Sequence, residues 1–478
     1  MAIAQIATTA GTKATVDDAQ LEEMLMAFRG AVLRPGDPGY DEARVIYNGD
    51  FDRKPGLIIR CSGTADVIDA VNFARERDLV VAVRGGGHNV AGNSVCDDGL
   101  MIDLSPMRGV HVDRKAKTVR VQGGATWGDV DRETQAFGLA APGGVVSHTG
   151  VAGLTLNGGI GWIRNKCGLS CDNLIAAEVV TANGELVTAS EKENKELLWG
   201  LRGGGGNFGV VTSFEFKLHA VGPIVAAAFP MYPIETAPQV LRKWRDFVAT
   251  MPDEITSAAI MWTMPVDPHL PPGVQGRAVI ITGGVYAGDP NEGEQALQPL
   301  REFGEPLGEI TGQLPYRMVQ AAFDPFFPNT GAVHSYWKSV YANELTDDLI
   351  DILADLGKNR SSSYSLINVP HFGGAVRRVK PADTAFWTRD ASFMLSIDGN
   401  WTDPSEREQH VAWVRQAWDR LQPHSTGAVY LNFMGEETQD SDALVRSAFG
   451  DNYERLVELK GKYDPTNLFR MNQNIKPS

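Results

Sequence analysis

A glycine-rich turn after a short apolar run constrains this chain more than any other segment. Leu79 to Val83 is apolar and rich in valine, which predicts a buried strand. The hexapeptide Arg84-Gly85-Gly86-Gly87-His88-Asn89 follows directly. Three glycines allow a tight turn and a close approach to a ligand, and consecutive backbone N–H groups in such a turn can bind a pyrophosphate. Taken alone, a triglycine turn beside a histidine is more typical of an ordinary polar loop than of a ligand site.

Three further segments favour the ligand-binding interpretation. Gly150 to Trp162 contains five glycines, which would let two backbone layers pack closely or let a planar ring lie against the chain. Leu197 to Val211 contains a run of four glycines, and Tyr463 to Ile475 forms an asparagine-rich tail.

With these segments the chain resembles flavoproteins of the vanillyl-alcohol-oxidase superfamily, in the berberine-bridge-enzyme-like branch. Within that branch it is most similar to the bacterial 6-hydroxy-D-nicotine oxidase type. The matching segments are Val83 to Gly92, Gly150 to Gly161, Gly203 to Val211 and Tyr463 to Asn474. They occur in the family's order and span nearly the whole chain.

This resemblance implies an α+β fold. A PCMH-type FAD-binding domain, made of two α/β subdomains, would carry an inserted substrate domain of antiparallel sheet covered by helices. The expected divisions are a flexible N-terminal tail at 1–20, the FAD-binding domain at 21–220, the substrate domain at 221–426, and a C-terminal segment at 427–478 that returns to the FAD domain.

Local patterns of apolar residues agree with this domain arrangement. Apolar residues recur at helical spacing from Ala65 to Arg77, which predicts an amphipathic helix. Short strands are predicted at Leu100 to Leu104, Val110 to Val112, Thr118 to Val121 and Ala428 to Phe433.

One further glycine pattern is typical of an NAD site, but the residues that follow it do not fit that interpretation. Gly204 to Gly209 matches the G-x-G-x-x-G dinucleotide fingerprint, which requires a helix after it. Val210 to Leu218 alternates and is β-branched, so a strand is predicted there instead of an NAD site.

Composition and charge narrow the classes of partner. The formal net charge of −15 argues against nucleic acid and anionic membranes, and no apolar run approaches the ~20 residues of a membrane span. The four cysteines are too few for a disulfide scaffold and have no partners for a zinc site, so no metal is expected. The start of the chain lacks the pattern of a signal peptide, so we expect a cytoplasmic enzyme. A homodimer is one option for its assembly.

The resemblance implies that His88 bonds the 8α-methyl carbon of FAD. A neutral imidazole is nucleophilic, so this role suits the residue type. By position, Arg84 to Asn89 and Gly92 would hold the phosphates, Val210 would meet the adenine, and the tail would reach the isoalloxazine. The predicted FAD-binding residues are Arg84, Gly85, Gly86, Gly87, His88, Asn89, Gly92, Thr149, Gly150, Gly153, Asn157, Gly158, Gly159, Gly161, Val210, Asn472 and Asn474.

Two positions depart from or refine the family pattern. Many relatives attach FAD through a second bond, from a cysteine that aligns with Val146 here, so a single bond through His88 is expected. Thr149 aligns with a position that admits or blocks oxygen, and its shape matches the permissive valine, which favours an oxidase.

The predicted catalytic residues are Tyr430 and Asn432, from the family's Tyr-x-Asn motif. Alternation along a strand would place both on one face. Tyr430 is a candidate to hydrogen-bond or deprotonate the substrate, and as a base it would need a lowered pKa. A buried tyrosine with a satisfied hydroxyl is the alternative. Tyr336 to Lys338 and Gly373 to Val379 also match the family, and His148 and His371 are candidate pocket residues.

These features predict an FAD-dependent oxidase. It would take a hydride from a carbon next to an alcohol oxygen or amine nitrogen of a small molecule and reduce O2 to H2O2. Two alternatives stay open: a dehydrogenase or oxidative cyclase of secondary metabolism with another acceptor, and a flavin-binding protein without turnover.

Overall fold

The fold is described from a computed structural model, for residues 4–26, 28–436 and 441–478. Two sheets form the part of the molecule that carries the glycine-rich segments. The four-stranded sheet has the order Ala31–Leu33, Leu57–Arg60, Leu100–Asp103, Val81–Arg84, and its last three strands are parallel. The five-stranded sheet is antiparallel, in the order Leu186–Ser190, Leu174–Val180, Val210–Lys217, Thr118–Gln122, Val110–Asp113.

The third large sheet has seven antiparallel strands and lies between these two sheets and a layer of helices. Its order is Gly308–Pro315, Ile224–Pro233, Ala278–Tyr286, Ile255–Thr263, Leu366–Pro370, Phe393–Trp401, His334–Ala342. Side chains alternate across it. Ala259 and Met261 pack towards the helices, while Ala258 and Ile260 face the opposite side. This arrangement confirms the prediction of an α+β fold with an antiparallel sheet covered by helices.

The helices also fall into two main groups, one in the part with the first two sheets and one with the seven-stranded sheet. In the first part they are Asp18–Leu25, Tyr40–Arg44, Thr64–Arg75, Trp127–Gln135, Val151–Leu156, Arg164–Cys167 and Lys195–Leu201. On and around the seven-stranded sheet they are Ala237–Val248, Pro290–Leu297, Tyr316–Gln320, Asp347–Lys358, Gly374–Arg378 and Arg407–Leu421. The chain ends with Ser441–Phe449 and Tyr453–Tyr463. No helix of the described ranges is both long and apolar enough to cross a bilayer.

Several local predictions are confirmed. The predicted amphipathic helix is Thr64–Arg75, whose buried residues Val67, Ala70, Val71 and Ala74 pack on the four-stranded sheet. The glycine run at 203–206 is followed by a strand, Val210–Lys217, as predicted, and not by the helix of a dinucleotide-binding motif.

Two predictions differ from the structure. The first is the flexible start of the chain. Ala4–Ala7 pairs with Lys13–Val16 in a two-stranded hairpin, and Asp18–Leu25 follows as a helix. Ile6 and Val16 are fully buried in the core of the four-stranded sheet, so apolar burial holds this segment in place.

The second is the strand at Ala428 to Phe433, where Leu431–Phe433 instead forms a 3₁₀ turn. This segment runs beside the edge strand His334–Ala342, but the bonds between them do not form a regular ladder. The N–H of Tyr341 donates to the carbonyl of Ala428 at 3.2 Å, while the N–H of Tyr430 donates to the side-chain hydroxyl of Ser339 at 3.0 Å. Because a side chain takes the place of a backbone acceptor, the ladder is interrupted there, although the N–H of Gly435 again donates to the carbonyl of Trp337 at 2.9 Å.

Candidate active site and cofactor cleft

A cavity of about 320 Å³ lies between the glycine-rich loops and the inner face of the seven-stranded sheet. One wall, the cofactor-side wall, comprises Gly85, Gly86, Gly87, His88, Asn89, Val146, Thr149, Gly150, Gly153, Asn157, Gly206, Val210 and Asn472. The other, the substrate-side wall, comprises Trp162, Ala258, Ile260, Phe323, Phe327, Trp337, Leu366, Asn368, Met394, Asp398, Tyr430, Asn432 and Phe433. Thirteen of the nineteen predicted site residues therefore line one cavity, counted as eleven on the first wall and two on the second.

Two glycine loops meet at the base of the cofactor-side wall. Gly86 and Gly150 lie so close that a Cβ on either would collide with the backbone of the other. Gly87 has φ +70°, a conformation that side chains disfavour. The glycines are therefore required for the loops to pack, and their backbone faces the cavity.

His88 lies in this wall with its ring fixed on two sides. It stacks on Tyr47, with ring centroids 4.7 Å apart and planes inclined by 16°. Its Nε2 lies 2.7 Å from Nδ1 of His148. Burial, and then the neighbouring His148, lower the pKa of His88 to about 3, so its imidazole is neutral near pH 7. Among the described residues, no hydrogen bond engages its Nδ1.

Buried amide oxygens on the same wall lack partners. Oδ1 of Asn157 and of Asn472 are buried without a hydrogen bond, although the amide nitrogens of both residues are bonded. An unpaired buried acceptor costs about 1–3 kcal/mol. Both oxygens could accept from the hydroxyl and N–H groups of a flavin nucleotide. Together with the glycine backbone, they fit the cofactor predicted from the sequence.

Six predicted FAD-binding residues lie outside the cavity lining. The guanidinium of Arg84 donates to the carbonyl of Ala43, and Gly92 packs against the ring of Phe51. The others that do not line it are Gly158, Gly159, Gly161 and Asn474.

These four residues support the site from behind. The N–H of Gly159 donates to the Tyr430 hydroxyl at 3.1 Å. A Cβ on Gly158 would meet Phe386, and one on Gly161 would collide with the carbonyl of Gly143. Oδ1 of Asn474 is buried without a partner.

Tyr430 and Asn432 come together although they do not lie on a strand. Nδ2 of Asn432 donates to the Tyr430 hydroxyl at 2.9 Å. Burial raises the pKa of Tyr430 to about 12, even with these two donors. The lowered pKa that a base would need is therefore absent. The hydroxyl oxygen accepts two hydrogen bonds, which leaves its own proton for donation towards the cavity.

A buried carboxyl group on the substrate-side wall is the residue that sequence reasoning missed. Asp398 lies on the strand Phe393–Trp401, and burial raises its pKa to about 7. The hydroxyl of Ser396 donates to it. A group with a pKa near neutrality can take and release protons efficiently. The signal was present in the sequence as a lone aspartate within a buried, mostly apolar strand.

Apart from Asn368, the rest of this wall is aromatic or aliphatic. Trp162 stacks on Phe323 with centroids 6.4 Å apart, and Trp337 meets Phe433 edge-on at 5.1 Å. Of the predicted Tyr336 to Lys338 segment, only Trp337 lines the cavity. His371 is buried outside the lining, where its carbonyl accepts from Nε of Arg164 at 2.9 Å.

Comparisons of the sequence with known protein families indicate the same cofactor as the geometry of the cavity. A family model described as "FAD binding domain" matches residues 55–190, and one described as "Berberine and berberine like" matches residues 429–476. An FAD-linked oxidoreductase of Dictyostelium discoideum is 33% identical over 462 residues, which cover 96% of this chain and 97% of that protein. The chain belongs to the berberine-bridge-enzyme-like family of FAD-linked oxidoreductases.

Two other relatives are oxidases by name. The crystal structure of 6-hydroxy-D-nicotine oxidase from Arthrobacter nicotinovorans superposes with a TM-score of 0.82 at 28% identity, covering 95% of this chain and 99% of that one. Chitooligosaccharide oxidase of Gibberella zeae is 30% identical over 472 residues, covering 92% of this chain and 91% of that protein. This FAD-linked oxidoreductase therefore shares its family and fold with oxidases.

Two further residues that the sequence analysis singled out lie in the cavity wall. Val146, where the resemblance predicts no cysteine for a second bond to FAD, lines the cavity. All four cysteines of the chain, Cys61, Cys96, Cys167 and Cys171, are buried and free, and none lines the cavity. Thr149 also lines it and is held by its backbone, whose carbonyl accepts from the N–H of Trp127 at 3.0 Å.

Proposed function

We propose that this chain is an FAD oxidase that holds its cofactor by one covalent bond through His88. The enzyme would take a hydride from a carbon next to the alcohol oxygen or amine nitrogen of a small molecule and pass the electrons to O2, with release of H2O2. The single observation that carries the proposal is the pairing, in one cavity, of a neutral histidine with an unengaged Nδ1 and a buried carboxyl group with a pKa of about 7.

Bound FAD would supply the two-electron acceptor. The glycine backbone at 85–87 and 150–153 would bind and orient it, and Asn157 and Asn472 would accept hydrogen bonds from it. Asp398 would remove the proton from the substrate's hydroxyl or ammonium group, because an ionised carboxylate with this pKa is a competent base near pH 7. Tyr430 would donate a hydrogen bond and orient the substrate instead of deprotonating it.

The apolar side chains of the substrate-side wall would exclude water from the reacting groups. A neutral imidazole at His88 is the form able to bond a carbon electrophile. Thr149, in the cavity wall beside Gly150, occupies the position proposed to admit oxygen. The cytoplasmic location and the homodimer stay predictions from the sequence.

Anaerobic reduction followed by exposure to air tests this function. A panel of amines, alcohols and sugars is mixed with the purified protein, and the flavin absorbance is followed. We expect at least one donor to bleach the flavin, and air to restore the colour with one equivalent of H2O2. Slow reoxidation in air, with fast reduction of an artificial acceptor, would indicate a dehydrogenase. A flavin that no donor bleaches would contradict the proposal.

A further inference from the structure

His88 in the cofactor-side wall and His148 behind it are joined by a hydrogen bond that holds one proton. Nε2 of His88 and Nδ1 of His148 are 2.7 Å apart, and the two rings lie 4.8 Å apart with planes inclined by 35°. Burial lowers the pKa of both side chains, so both rings are neutral. A neutral imidazole has one N–H and one lone pair. The hydrogen bond between these rings therefore holds a single proton, on one ring or the other.

The position of that proton decides whether His88 can act as a nucleophile. If Nε2 of His88 carries it and donates to His148, then Nδ1 of His88 has its lone pair free. If Nδ1 of His148 carries it, then the proton of His88 must sit on Nδ1, and the lone pair is lost. Only the first arrangement prepares His88 for bond formation.

A segment from the substrate part of the molecule selects between these arrangements. We call residues 321–333 the strap; it links the helix Tyr316–Gln320 to the strand His334–Ala342. The Asp324 carboxylate in the strap accepts from the N–H of Ser147 at 2.7 Å and from the Ser147 hydroxyl. Both bonds fix the residue that precedes His148.

The strap also acts on the His148 ring itself. The backbone carbonyls of Asp324 and Phe327 favour a proton on this ring. Because Nδ1 of His148 faces His88, these carbonyls favour the proton on Nε2, which is buried without a direct hydrogen bond. A proton on Nε2 makes Nδ1 of His148 an acceptor, and His88 must then be the donor.

We propose that His148 is a positioning residue for covalent flavin attachment: it accepts the Nε2–H of His88, leaves Nδ1 of His88 free to bond the flavin, and is held in that role by Asp324 of the strap. This inference rests on the proposed attachment at His88. It assigns the substrate part of the molecule a role in loading the cofactor.

The attachment reaction balances with dioxygen as the oxidant. A bond forms between Nδ1 of His88 and the 8α-methyl carbon of FAD, and one C–H bond of that methyl group breaks. The Nε2 proton of His88 passes to Nδ1 of His148, and His148 releases its own Nε2 proton, so that it stays neutral. The two electrons of the C–H bond and the two released protons reduce O2 to H2O2, by way of the isoalloxazine. The product keeps a neutral His88 ring that accepts a hydrogen bond from His148.

Two substitutions at one position separate an acceptor role from a packing role. His148→Asn places a carbonyl oxygen near the position of Nδ1 and keeps the acceptor. His148→Leu fills a similar volume without one. Full-length wild type and both variants are purified, total FAD is measured by absorbance, and protein-bound FAD is measured after acid precipitation and by fluorescence of the denatured protein on a gel.

We expect wild type and His148→Asn to keep their flavin in the acid pellet. His148→Leu should bind FAD but attach it about ten- to a hundredfold more slowly, as expected for the loss of one buried hydrogen bond. Unchanged attachment in His148→Leu would overturn the inference, and so would equal loss in both variants. A wild type that releases all its FAD into acid would refute attachment itself, which is the proposed function and not this inference.

A variant of the strap covers the case in which His148→Leu does not fold. Asp324→Ala removes both bonds to Ser147 and the negative charge that acts on His148, and it leaves both histidines in the chain. We expect it to bind FAD and attach it several-fold more slowly. Attachment at the wild-type rate would show that the strap does not hold His148 in place, and would overturn that part of the inference.

Discussion

The two walls of the cavity are built from the chain in opposite ways. The cofactor-side wall comes from a few continuous glycine-rich loops, such as 85–89 and 144–157. The substrate-side wall is formed by segments far apart in sequence, and Ile260, Asn368 and Asp398 reach it from three separate strands. Packing of backbone against backbone leaves a local signature of glycines, whereas a wall of strand side chains leaves none. The first wall is thus suited to hold an invariant cofactor, and the second to vary with the substrate.

The largest effect is expected on the substrate-side wall, from Asp398→Asn. If this carboxylate is the base, its loss should slow anaerobic flavin reduction by about 10²- to 10⁴-fold and leave FAD bound. Stopped-flow absorbance with a good donor measures the rate. A rate within about threefold of wild type would remove Asp398 from the reaction, since a general base contributes far more.

The pH dependence of flavin reduction follows from the protonation of Asp398. Burial raises the pKa of Asp398 to about 7, so the carboxyl is protonated below that pH and ionised above it. A base must be ionised, so the rate of reduction should rise with pH and level off above about 7. Asp398→Asn should lose this rise. If wild type is instead fastest at low pH, the assigned protonation state is wrong.

On the cofactor-side wall, Gly86→Ala should have the next largest effect. Its Cβ would collide with the backbone of Gly150, so we expect a loss of stability of about 1–3 kcal/mol and poor FAD retention. Gly304→Ala is the matched control, because it lies outside the cavity lining and a Cβ there meets only the Tyr232 ring, at 3.6 Å or more. Thermal unfolding and FAD content measure both variants. Equal effects in the two variants would show that close packing of the backbone is not the reason why these loops contain glycines.

A smaller effect is expected for Tyr430→Phe, which removes an acceptor from Gly159 and Asn432 but no base. We expect reduction to slow by up to about tenfold, as for one lost hydrogen bond, with the cofactor still attached. Tyr341→Phe is the control, because the hydroxyl of Tyr341 is buried without a partner among the described residues. A loss as large as that of Asp398→Asn would restore Tyr430 as the base.

The smallest effect on reduction is expected at Thr149, in the cofactor-side wall. Thr149→Val keeps the shape of the side chain, and Thr149→Leu enlarges it in the cavity wall. We expect both variants to be reduced at about the wild-type rate, and only the leucine variant to be reoxidised more slowly by O2. The second-order rate constant with O2 measures this. Unchanged reoxidation in Thr149→Leu would remove this residue from the oxygen path.

The same contrast between the walls explains what the sequence could predict. The fold follows from the resemblance to a known family, whereas the loop at 85–89 and the strand after Gly209 follow from local patterns of glycine and alternation; the structure confirms all three. Gly158, Gly159 and Gly161 were predicted in the lining but lie behind it, because a glycine that serves backbone packing has the same sequence signature as one that contacts a ligand.

A lone aspartate in a mostly apolar strand is a sequence signal for a buried carboxyl group, but the place of Asp398 in the cavity and the contacts of the strap could not be predicted from local patterns. Asp398 reaches the cavity only because the strand Phe393–Trp401 pairs with Leu366–Pro370 and His334–Ala342, and that register is a property of the whole sheet. The bond between Asp324 and Ser147 joins residues 177 positions apart. The 3₁₀ turn at Leu431–Phe433 likewise depends on a distant side chain, Ser339.

The most direct test of the central claim is to denature the purified protein in acid and find out where the flavin goes. We predict that the yellow colour stays with the precipitated wild-type protein, that proteolysis gives a flavin-bearing peptide containing His88, and that His88→Ala releases all its FAD into the supernatant. Flavin wholly in the wild-type supernatant, or flavin still bound to precipitated His88→Ala, would contradict a single covalent bond through His88.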